Sequence, residues 1–255
     1  MAAASGSALP TVADRDALWE ALGWRPEPAQ VERFGALQQQ LREWNGRLNL
    51  TRLVEGDDYW IAQVFDSLWP LVPLLSGPHR DQPLELIDVG TGCGVPGLVL
   101  ALALPQARLT LVDSVGRKVE AVRAMAAALG LEQRVCLRCE RIELTGRAPE
   151  CRGRFDWAVA RAVARAPVVA EYLVPLLAPS GRALLYRGQW SEQDQADLER
   201  ACHQLRARIE TVQRRELPGE RGLRHAVCLA PTASCPGTYP RAVGIPAKVP
   251  LGQAV

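Results

Sequence analysis

Apolar residues recur at two spacings along this chain, and the spacing predicts which segments are helical. In the first third, apolar side chains such as Phe34, Leu37 and Leu41 are three or four positions apart, which is typical of a helix with one buried face. The pattern predicts helices over residues 14–24, 28–46 and about 57–75. Pro70 lacks the amide hydrogen that a helix interior uses, so we expect it to kink or divide the third helix.

From residue 84 onward, short apolar runs alternate with segments of helical spacing. The predicted strands are 84–87, 109–112, 135–139, one within 155–163, 183–189, 208–217 and 224–229. The predicted helices between them are 98–104, 116–129, 167–177 and 191–209. Strands that alternate with helices predict an α/β fold with a parallel sheet. The last two strands, joined by a turn, predict a paired unit at one edge of that sheet.

The chain divides into four predicted segments. They are a disordered start (1–13), a helical N-terminal extension (14–83), an α/β domain (84–230) and a basic tail rich in Pro and Gly (231–255). The Pro- and Gly-rich composition of the tail cannot form a hydrophobic core of its own. Two interpretations of the tail stay open: an extended strap that binds a partner, or a segment that packs across the fold through Ile245, Val249 and Leu251.

The glycine-rich stretch 87–97, IDVGTGCGVPG, lies between the first predicted strand and the next helix. Glycine permits positive φ and lets a ligand approach the backbone closely, and free amides at a helix start bind anionic groups. Read from Gly92, the spacing is G-x-G-x-x-G, a dinucleotide pattern. Read around Gly90, it is D-x-G-x-G-x-G, which resembles motif I of S-adenosylmethionine methyltransferases.

A second acidic residue sharpens the prediction for this turn. Asp113 ends the second strand, about 20 residues after the turn, where a carboxylate can accept hydrogen bonds from both ribose hydroxyls. The two features together predict an adenosine-bearing cofactor. They leave NAD and S-adenosylmethionine open.

Composition excludes several classes of protein. Hydrophobic residues make up 48% of the chain, which is typical of a globular protein, and no apolar run approaches the ~20 residues of a membrane span.

The seven cysteines are odd in number and irregularly spaced, and no export signal precedes them. We therefore expect reduced thiols and a cytoplasmic protein. Cys136 and Cys139 form C-x-x-C, but neighbouring ligands are lacking and a strand turns the pair to opposite faces, so no metal site is expected.

Charge is distributed unevenly along the chain. Residues 1–86 carry a net charge of −5, residues 87–230 a net +5, and residues 231–255 a net +2. A basic α/β domain and tail favour a polyanionic partner. Most of the basic residues are arginines, which suit phosphate groups and base stacking, although genomic bias also raises arginine content.

Several stretches together resemble one family, the RsmG or GidB family (glucose-inhibited division protein B) of bacterial 16S rRNA guanine-N7 methyltransferases. The resembling stretches are WNGRLNLT (44–51), FDSL (65–68), IDVGTGCGVPGL (87–98), LVDSVGRKVE (111–120), RIE (141–143), FDWAVARA (155–162), RGQ (187–189), RH (224–225) and YPRAVGIPAKVPL (239–251). They cover most of residues 40–251 in the family's order.

The resemblance implies a class I S-adenosylmethionine-dependent methyltransferase with a seven-stranded Rossmann-like sheet. It implies 16S rRNA, in the small subunit or its precursor, as the partner, and we expect a monomer with no stable protein partner. The cofactor-binding residues expected from physics and resemblance together are Gly90, Val95, Asp113, Ser114, Val115, Ile142, Glu143 and Arg161. The residues expected to contact RNA are Arg161, Arg187, Arg224, His225, Arg241 and Lys248.

The sequence departs from the family at three places. The family usually has a basic–His pair where this chain has Ala62 and Gln63, often has Lys at Arg187, and often has a second Arg where Ala242 follows Arg241. These changes bear on which side chains touch RNA.

The chemistry expected at the site needs no general base. Guanine N7 carries a lone pair in the ring plane, so no proton leaves before attack and catalysis is chiefly alignment. After the fourth strand the chain reads Ala160-Arg161-Ala162, without the motif that holds an exocyclic amine in other nucleic-acid methyltransferases. Arg161 either faces the crevice or forms a structural salt bridge. The remaining alternatives are a nicotinamide oxidoreductase and a non-catalytic cofactor- or RNA-binding adaptor.

Overall fold

The computed structural model describes residues 12–78 and 81–252. The helices are α1 (Val12–Leu22), α2 (Pro28–Leu48), α3 (Gly56–Tyr59), α4 (Asp66–Leu68), α5 (Val72–Ser76), α6 (Gly97–Ala103), α7 (Gly116–Ala128), α8 (Ile142–Thr145), α9 (Ala166–Leu173), α10 (Glu192–Leu205) and α11 (Ile245–Lys248). The strands are β1 (Glu85–Val89), β2 (Arg108–Asp113), β3 (Val135–Cys139), β4 (Phe155–Arg161), β5 (Leu177–Arg187), β6 (Ala207–Glu216) and β7 (Leu223–Pro231). Of the segment expected to be disordered, residues 1–11 lie outside the described part.

The described strands form one seven-stranded sheet in the order β3-β2-β1-β4-β5-β7-β6. Strands β1 to β5 run parallel to one another, and β7 is antiparallel to both β5 and β6. The predicted α/β fold with a mostly parallel sheet and a paired unit at one edge is therefore confirmed. The chain builds the sheet outward from β1 to β3 on one side, and then crosses back to place β4 on the other side of β1. The strand order therefore reverses between β1 and β4. A crevice forms at the carboxyl ends of the strands at such a point.

The central strands contribute alternate residues to two hydrophobic cores, one on each face of the sheet. Leu86 and Leu184 point into the core that α1, α2, α6 and α7 cover. Their chain neighbours Ile87 and Leu185 point into the core that α9 and α10 cover. Both faces of the central strands are buried, which explains why these strands read as continuous apolar runs.

The N-terminal helices share a core with the sheet. Gln30 on α2 donates to the carbonyls of Leu102 and Ala103, and Arg33 donates to the Leu129 carbonyl at 2.7 Å. These carbonyls lie at the ends of α6 and α7, where a helix has no internal donors left for them. The helical extension therefore satisfies the ends of the two helices that cover this face of the sheet.

The third predicted helix departs from α-helical winding at two places. After α3, residues Trp60–Phe65 are π-helical, and between α4 and α5 residues Trp69–Leu71 form a 3-10 turn. The turn contains Pro70, so the predicted interruption at this residue is confirmed. The π-helical segment was not predicted, because its wider winding leaves no mark on the spacing of apolar residues in so short a stretch.

The helix predicted for 191–209 ends at Leu205, and two predicted boundaries before β5 were also wrong. The helix predicted for 167–177 ends at Leu173, and a 3-10 turn (Val174–Leu176) leads directly into β5, which begins at Leu177 rather than at residue 183. Leu177 pairs with Phe155 across a register shift in β4. The Pro-Ser-Gly sequence at 179–181 reads as a turn, but here it lies within an irregular part of the strand.

Candidate functional site

A cleft of about 1020 Å³ lies at the carboxyl ends of β1, β2 and β4. Of the residues expected to bind a cofactor, the structure brings Gly90, Val95, Asp113, Ser114, Ile142, Glu143 and Arg161 to its walls. These residues come from four separate segments of the sequence. The cleft occupies the position where open α/β sheets bind their ligands.

Asp88 holds the glycine turn together from below. Its Oδ2 atom accepts hydrogen bonds from the Thr91 hydroxyl at 2.7 Å and from the Gly97 amide at 2.9 Å. The carboxyl is 1% exposed, and burial raises its pKa to about 6, although the two hydrogen bonds and the charge of Arg161 act in the opposite direction. The acidic residue of the motif is therefore a support for the turn and does not line the cleft.

Gly90 has no room for a side chain. Its φ is +72°, and a β-carbon on it would lie 2.6 Å from the Val163 side chain. Both features require glycine, because L-residues rarely adopt this φ and a heavy atom at 2.6 Å would overlap. The bare backbone of the turn forms the floor of the cleft.

Asp113 connects the end of β2 to the glycine turn. Its Oδ2 accepts from the Gly92 amide at 3.0 Å and its Oδ1 from the Val115 amide at 2.9 Å. A carboxylate has about four acceptor positions, so the two amides orient it and leave lone pairs for a ligand. Ser114 does not cap the following helix, because the capping position is Val115, which makes no side-chain bond.

Glu143 is the second carboxylate in the cleft and is 1% exposed. Its Oε1 accepts from the Gly244 amide at 2.9 Å and from the Tyr172 hydroxyl at 3.4 Å. Its Oε2 is buried, and no described residue donates a hydrogen bond to it. A buried carboxylate oxygen without a donor is costly, so this atom is suited to a ligand that brings an N–H group.

Arg161 extends from the end of β4 to the π-helical segment. Its Nη1 donates to the Ala62 carbonyl at 3.1 Å and to Asp66 Oδ2 at 3.3 Å, and its Nη2 donates to Gln63 Oε1. Arg161 thus lines the cleft and forms a structural salt bridge at the same time. The departure of this sequence from the family at Ala62 and Gln63 falls on two of the three residues that accept hydrogen bonds from Arg161.

The basic side chains expected to contact RNA differ in whether they already have hydrogen-bond or ionic partners within the protein. Arg187 and Arg224 line the cleft. Arg187 donates to the Ala164 carbonyl at 2.7 Å, and burial lowers the pKa of its guanidinium. Arg224 lies 3.9 Å from Asp66 Oδ1. His225 is 9% exposed, and its Nδ1 lies 2.8 Å from the Gly188 carbonyl. The burial of the ring does not favour the expected RNA contact of His225.

The tail packs across the fold, and Arg241 helps to hold it there. Arg241 forms an ion pair with the fully buried Glu171, with Nη2 at 2.6 Å from Oε2. This pairing gives the Arg241 guanidinium a structural role and does not favour the expected RNA contact. Lys248 is exposed. Leu251 is buried in the core that α9 and α10 cover.

Sequence reasoning missed the residues that anchor the tail. Arg152 donates to the carbonyls of Tyr239, Cys235 and Pro236, and Arg147 donates to the Pro240 carbonyl. Both arginines lie in the segment 146–154, which connects α8 to β4. The signal available was the density of arginines there, but arginine is frequent throughout this chain.

Metal and membrane features can be examined only within residues 12–78 and 81–252. In that part of the chain, no three His, Cys, Asp or Glu residues are grouped so that they could hold a metal ion. Cys136 and Cys139 are both free and exposed. None of the helices described is both long and apolar enough to cross a membrane.

Comparison with known proteins gives consistent matches. The model of the GidB family, described as rRNA small subunit methyltransferase G, matches residues 30–222. A protein of Synechococcus sp. (strain RCC307), named ribosomal RNA small subunit methyltransferase G, is 66% identical over 91% of this chain and 97% of its own length. A protein of the same name from Prochlorococcus marinus (strain MIT 9313) is 61% identical over 92% of this chain and 95% of its own length.

The fold also matches solved structures. An O-methyltransferase from Bacillus cereus, solved in complex with SAH, superimposes with a TM-score of 0.56 over 85% of this chain and 96% of that chain, at 15% identity. At this identity the likeness concerns the fold alone, which is that of a class I S-adenosylmethionine-dependent methyltransferase. The family match and the two relatives are more specific. On their evidence, this chain belongs to the GidB family, rRNA small subunit methyltransferase G.

Proposed function

We propose that this protein transfers a methyl group from S-adenosylmethionine to N7 of a guanine in 16S rRNA of the small ribosomal subunit. The observation that carries the proposal is the cleft, where two carboxylates from different strand ends, Asp113 and Glu143, keep acceptor positions beside a bare glycine turn. Membership of the family supplies the substrate class. Because the small subunit is the substrate, the proposal puts the enzyme in the cytoplasm.

The residues of the cleft fit an adenosine-bearing methyl donor. Asp113 would accept hydrogen bonds from the ribose hydroxyls, and the buried Oε2 of Glu143 would accept one from the exocyclic amine of adenine. Ile142 would flank the ring, with Ser114 and Val115 beside the ribose. The turn from Gly90 to Val95 would hold the amino-acid end. When bound, the donor supplies an electrophilic methyl group on a sulfonium.

The two tyrosines that line the cleft do not offer a base for proton removal. Tyr186 is buried and donates to the Ser67 carbonyl at 2.6 Å, and burial raises its pKa well above the ordinary value. Burial and the charge of Glu143 raise the pKa of Tyr172 to about 12. Both phenols stay protonated at neutral pH. Guanine N7 needs no base because its lone pair is already free, so this acceptor suits the site.

The mouth of the cleft is cationic. Lys118, Arg141, Arg187 and Arg224 all line it, and Lys248 is exposed on the tail. We propose that these side chains meet the RNA backbone. Contacts of this kind release counterions from RNA, so they weaken as salt is added.

Asp113→Ala should weaken the binding of S-adenosylhomocysteine by about 2 kcal/mol, because charge-assisted hydrogen bonds to the ribose are lost. Isothermal calorimetry measures the change. Asp156→Ala is the matched control, since Asp156 also binds a backbone amide, that of Glu85 at 2.9 Å, but at the opposite end of the sheet. Unchanged affinity in Asp113→Ala would remove Asp113 from the site, and tighter binding of NADH than of S-adenosylhomocysteine would favour an oxidoreductase.

Methyl transfer itself is tested with small ribosomal subunits and labelled S-adenosylmethionine. We expect label in 16S rRNA, and chain cleavage at one guanine after reduction and aniline treatment, which is specific for N7-methylguanine. RNA affinity should fall steeply between 50 and 200 mM salt, by about tenfold or more. Label without cleavage would assign another atom, and cofactor binding without any label would favour the non-catalytic adaptor.

A further inference from the structure

The C-terminal residues 239–252, here called the C-terminal strap, are held on the protein by a buried ion pair. Glu171 on α9 is 0% exposed. Its Oε1 accepts from the Arg241 backbone amide at 2.8 Å and from Arg241 Nε at 2.9 Å, and its Oε2 accepts from Nη2 at 2.6 Å. The hydrogen bonds to Glu171 raise the pKa of Arg241. A buried pair with this many bonds fixes the position of the residues that follow it.

Arg241 also fixes the strap to itself. Its Nη2 donates to the Val249 carbonyl at 2.7 Å, so the residues between 241 and 249 form a closed loop around the guanidinium. This loop contains α11. The ion pair therefore sets the position of a compact unit rather than of an extended chain.

The same unit reaches the cofactor cleft. Three residues after Arg241, the Gly244 amide donates to Glu143 Oε1 at 2.9 Å, and Ala247 lines the cleft. The other oxygen of Glu143 has no described hydrogen-bond donor and lies 3.9 Å from the half-exposed Arg141. Because the strap occupies one oxygen of Glu143, it determines where the other oxygen points.

A glycine beneath the strap indicates that the contact is close. A β-carbon on Gly146 would lie 2.8 Å from Pro240 Cγ and 3.0 Å from Cδ. The φ of Gly146 is −66°, which any residue adopts, so its backbone does not require glycine. The packing of the strap against the end of α8, the helix that begins at Ile142 and carries Glu143, does require it.

We propose that the C-terminal strap is a positioning element of the cofactor site: Arg241, bound to Glu171, sets the Gly244 amide on Glu143 and so fixes the carboxylate that receives the adenine amine. The proposal rests on the proposed function, because it takes the ligand to be an adenosine-bearing methyl donor. Strap docking and cofactor binding then favour each other, and by linkage the coupling is equal in both directions.

The test is a cycle that combines one variant with one change in the ligand. Arg241→Ala should weaken S-adenosylhomocysteine binding about tenfold, the size expected when one hydrogen bond to a charged group is misplaced. The inosine analogue of the same ligand has a carbonyl where adenine has its amine. The affinity of Arg241→Ala for this analogue should differ less than about twofold from that of the wild type. An equal loss for both ligands would mean that the strap acts on the fold in general and would overturn the proposal.

Two further variants keep the test decisive if Arg241→Ala does not fold. Gly146→Ala leaves the ion pair intact but pushes Pro240 outward, so it should give the same ligand-specific loss. Arg200→Ala is the matched control, because Arg200 also holds the strap, through the Gly252 carbonyl at 2.6 Å, but far from Glu143. It should leave the affinity for both ligands unchanged, and a tenfold loss in Arg200→Ala would contradict the proposal.

The reverse coupling is measured by hydrogen exchange in the wild-type protein. Saturating S-adenosylhomocysteine should slow exchange of the Gly244 amide several-fold, whereas unchanged exchange would contradict the coupling. Failure of the proposed function is distinguishable from failure of this inference. If the wild type does not bind S-adenosylhomocysteine, the proposed function fails; if it binds and Arg241→Ala binds equally well, only the inference fails.

Discussion

Arg161→Met is expected to lower the free energy of unfolding by about 3 kcal/mol, the lower end for breaking a buried ion pair. Asp66 is 6% exposed, and the variant would leave its carboxylate with the Trp69 indole at 3.3 Å and with Arg224 at 3.9 Å. Because Arg161 also joins β4 to the π-helical segment, the wall of the cleft should loosen, and methyl transfer at saturating RNA should fall.

Thermal unfolding measures the first effect, as a fall in Tm of roughly 6–12 °C for a chain of this size. Arg165→Met is the matched control: Arg165 pairs with Asp197 at 3.5 Å but is 61% exposed, so the expected loss is under about 1 kcal/mol. Adding Asp66→Asn to Arg161→Met should restore part of the stability, since the unpaired charge is then removed. Equal losses in the two arginine variants would show that the Arg161 pair is not special.

Asp88→Asn is expected to remove a pH-dependent loss of stability. The pKa of Asp88 is raised from 3.8 to about 6 in the folded protein, chiefly by burial. Below pH 3.8 the carboxyl is protonated in both states. As the pH rises to about 6 the unfolded chain loses the proton first, so stability falls. Above pH 6 the full cost is present, about 3 kcal/mol. Asparagine does not ionise and should avoid this cost.

The measurement is the free energy of unfolding at pH 4 and pH 7.5 for the wild type, Asp88→Asn and Asp156→Asn. In Asp88→Asn the side-chain amide oxygen can accept the same bonds from Thr91 and Gly97, so the glycine turn should persist. Other carboxyls have an opposite pH dependence, such as Asp194, whose pKa is lowered by the Ser191 side chain. The difference between variants cancels them. If Asp88→Asn and the wild type lose stability in parallel as the pH rises, Asp88 does not titrate as stated.

The features that the sequence could predict are those encoded within a few residues. The β1–turn–α6 unit and Asp113 were recognisable because a tight turn between a strand and a helix requires glycine and aspartate at fixed spacing. The strands were recognisable because both faces are buried.

The features that the sequence could not predict depend on pairs far apart in the chain. Arg241 and Glu171 are 70 positions apart, and nothing in the local pattern marks either residue as buried. A basic residue in a Pro-rich segment is usually solvated. For that reason the sequence favoured an RNA contact for Arg241. Gln63 was noticed only as a departure from the family, and its contact with Arg161, 98 positions away, required the structure.

The position of the C-terminal strap has a consequence for the order in which the protein is made. The bond between Gly244 and Glu143 joins residues 101 positions apart, and the Arg241–Glu171 pair joins residues 70 apart. Domains fold from the N-terminus as synthesis proceeds, and contacts between distant segments form late. The sheet, the glycine turn and Asp113 can therefore assemble while the strap is still being synthesised, but the cleft stays open on the Glu143 side. A nascent chain should acquire its full affinity for the cofactor only after residue 252 has left the ribosome.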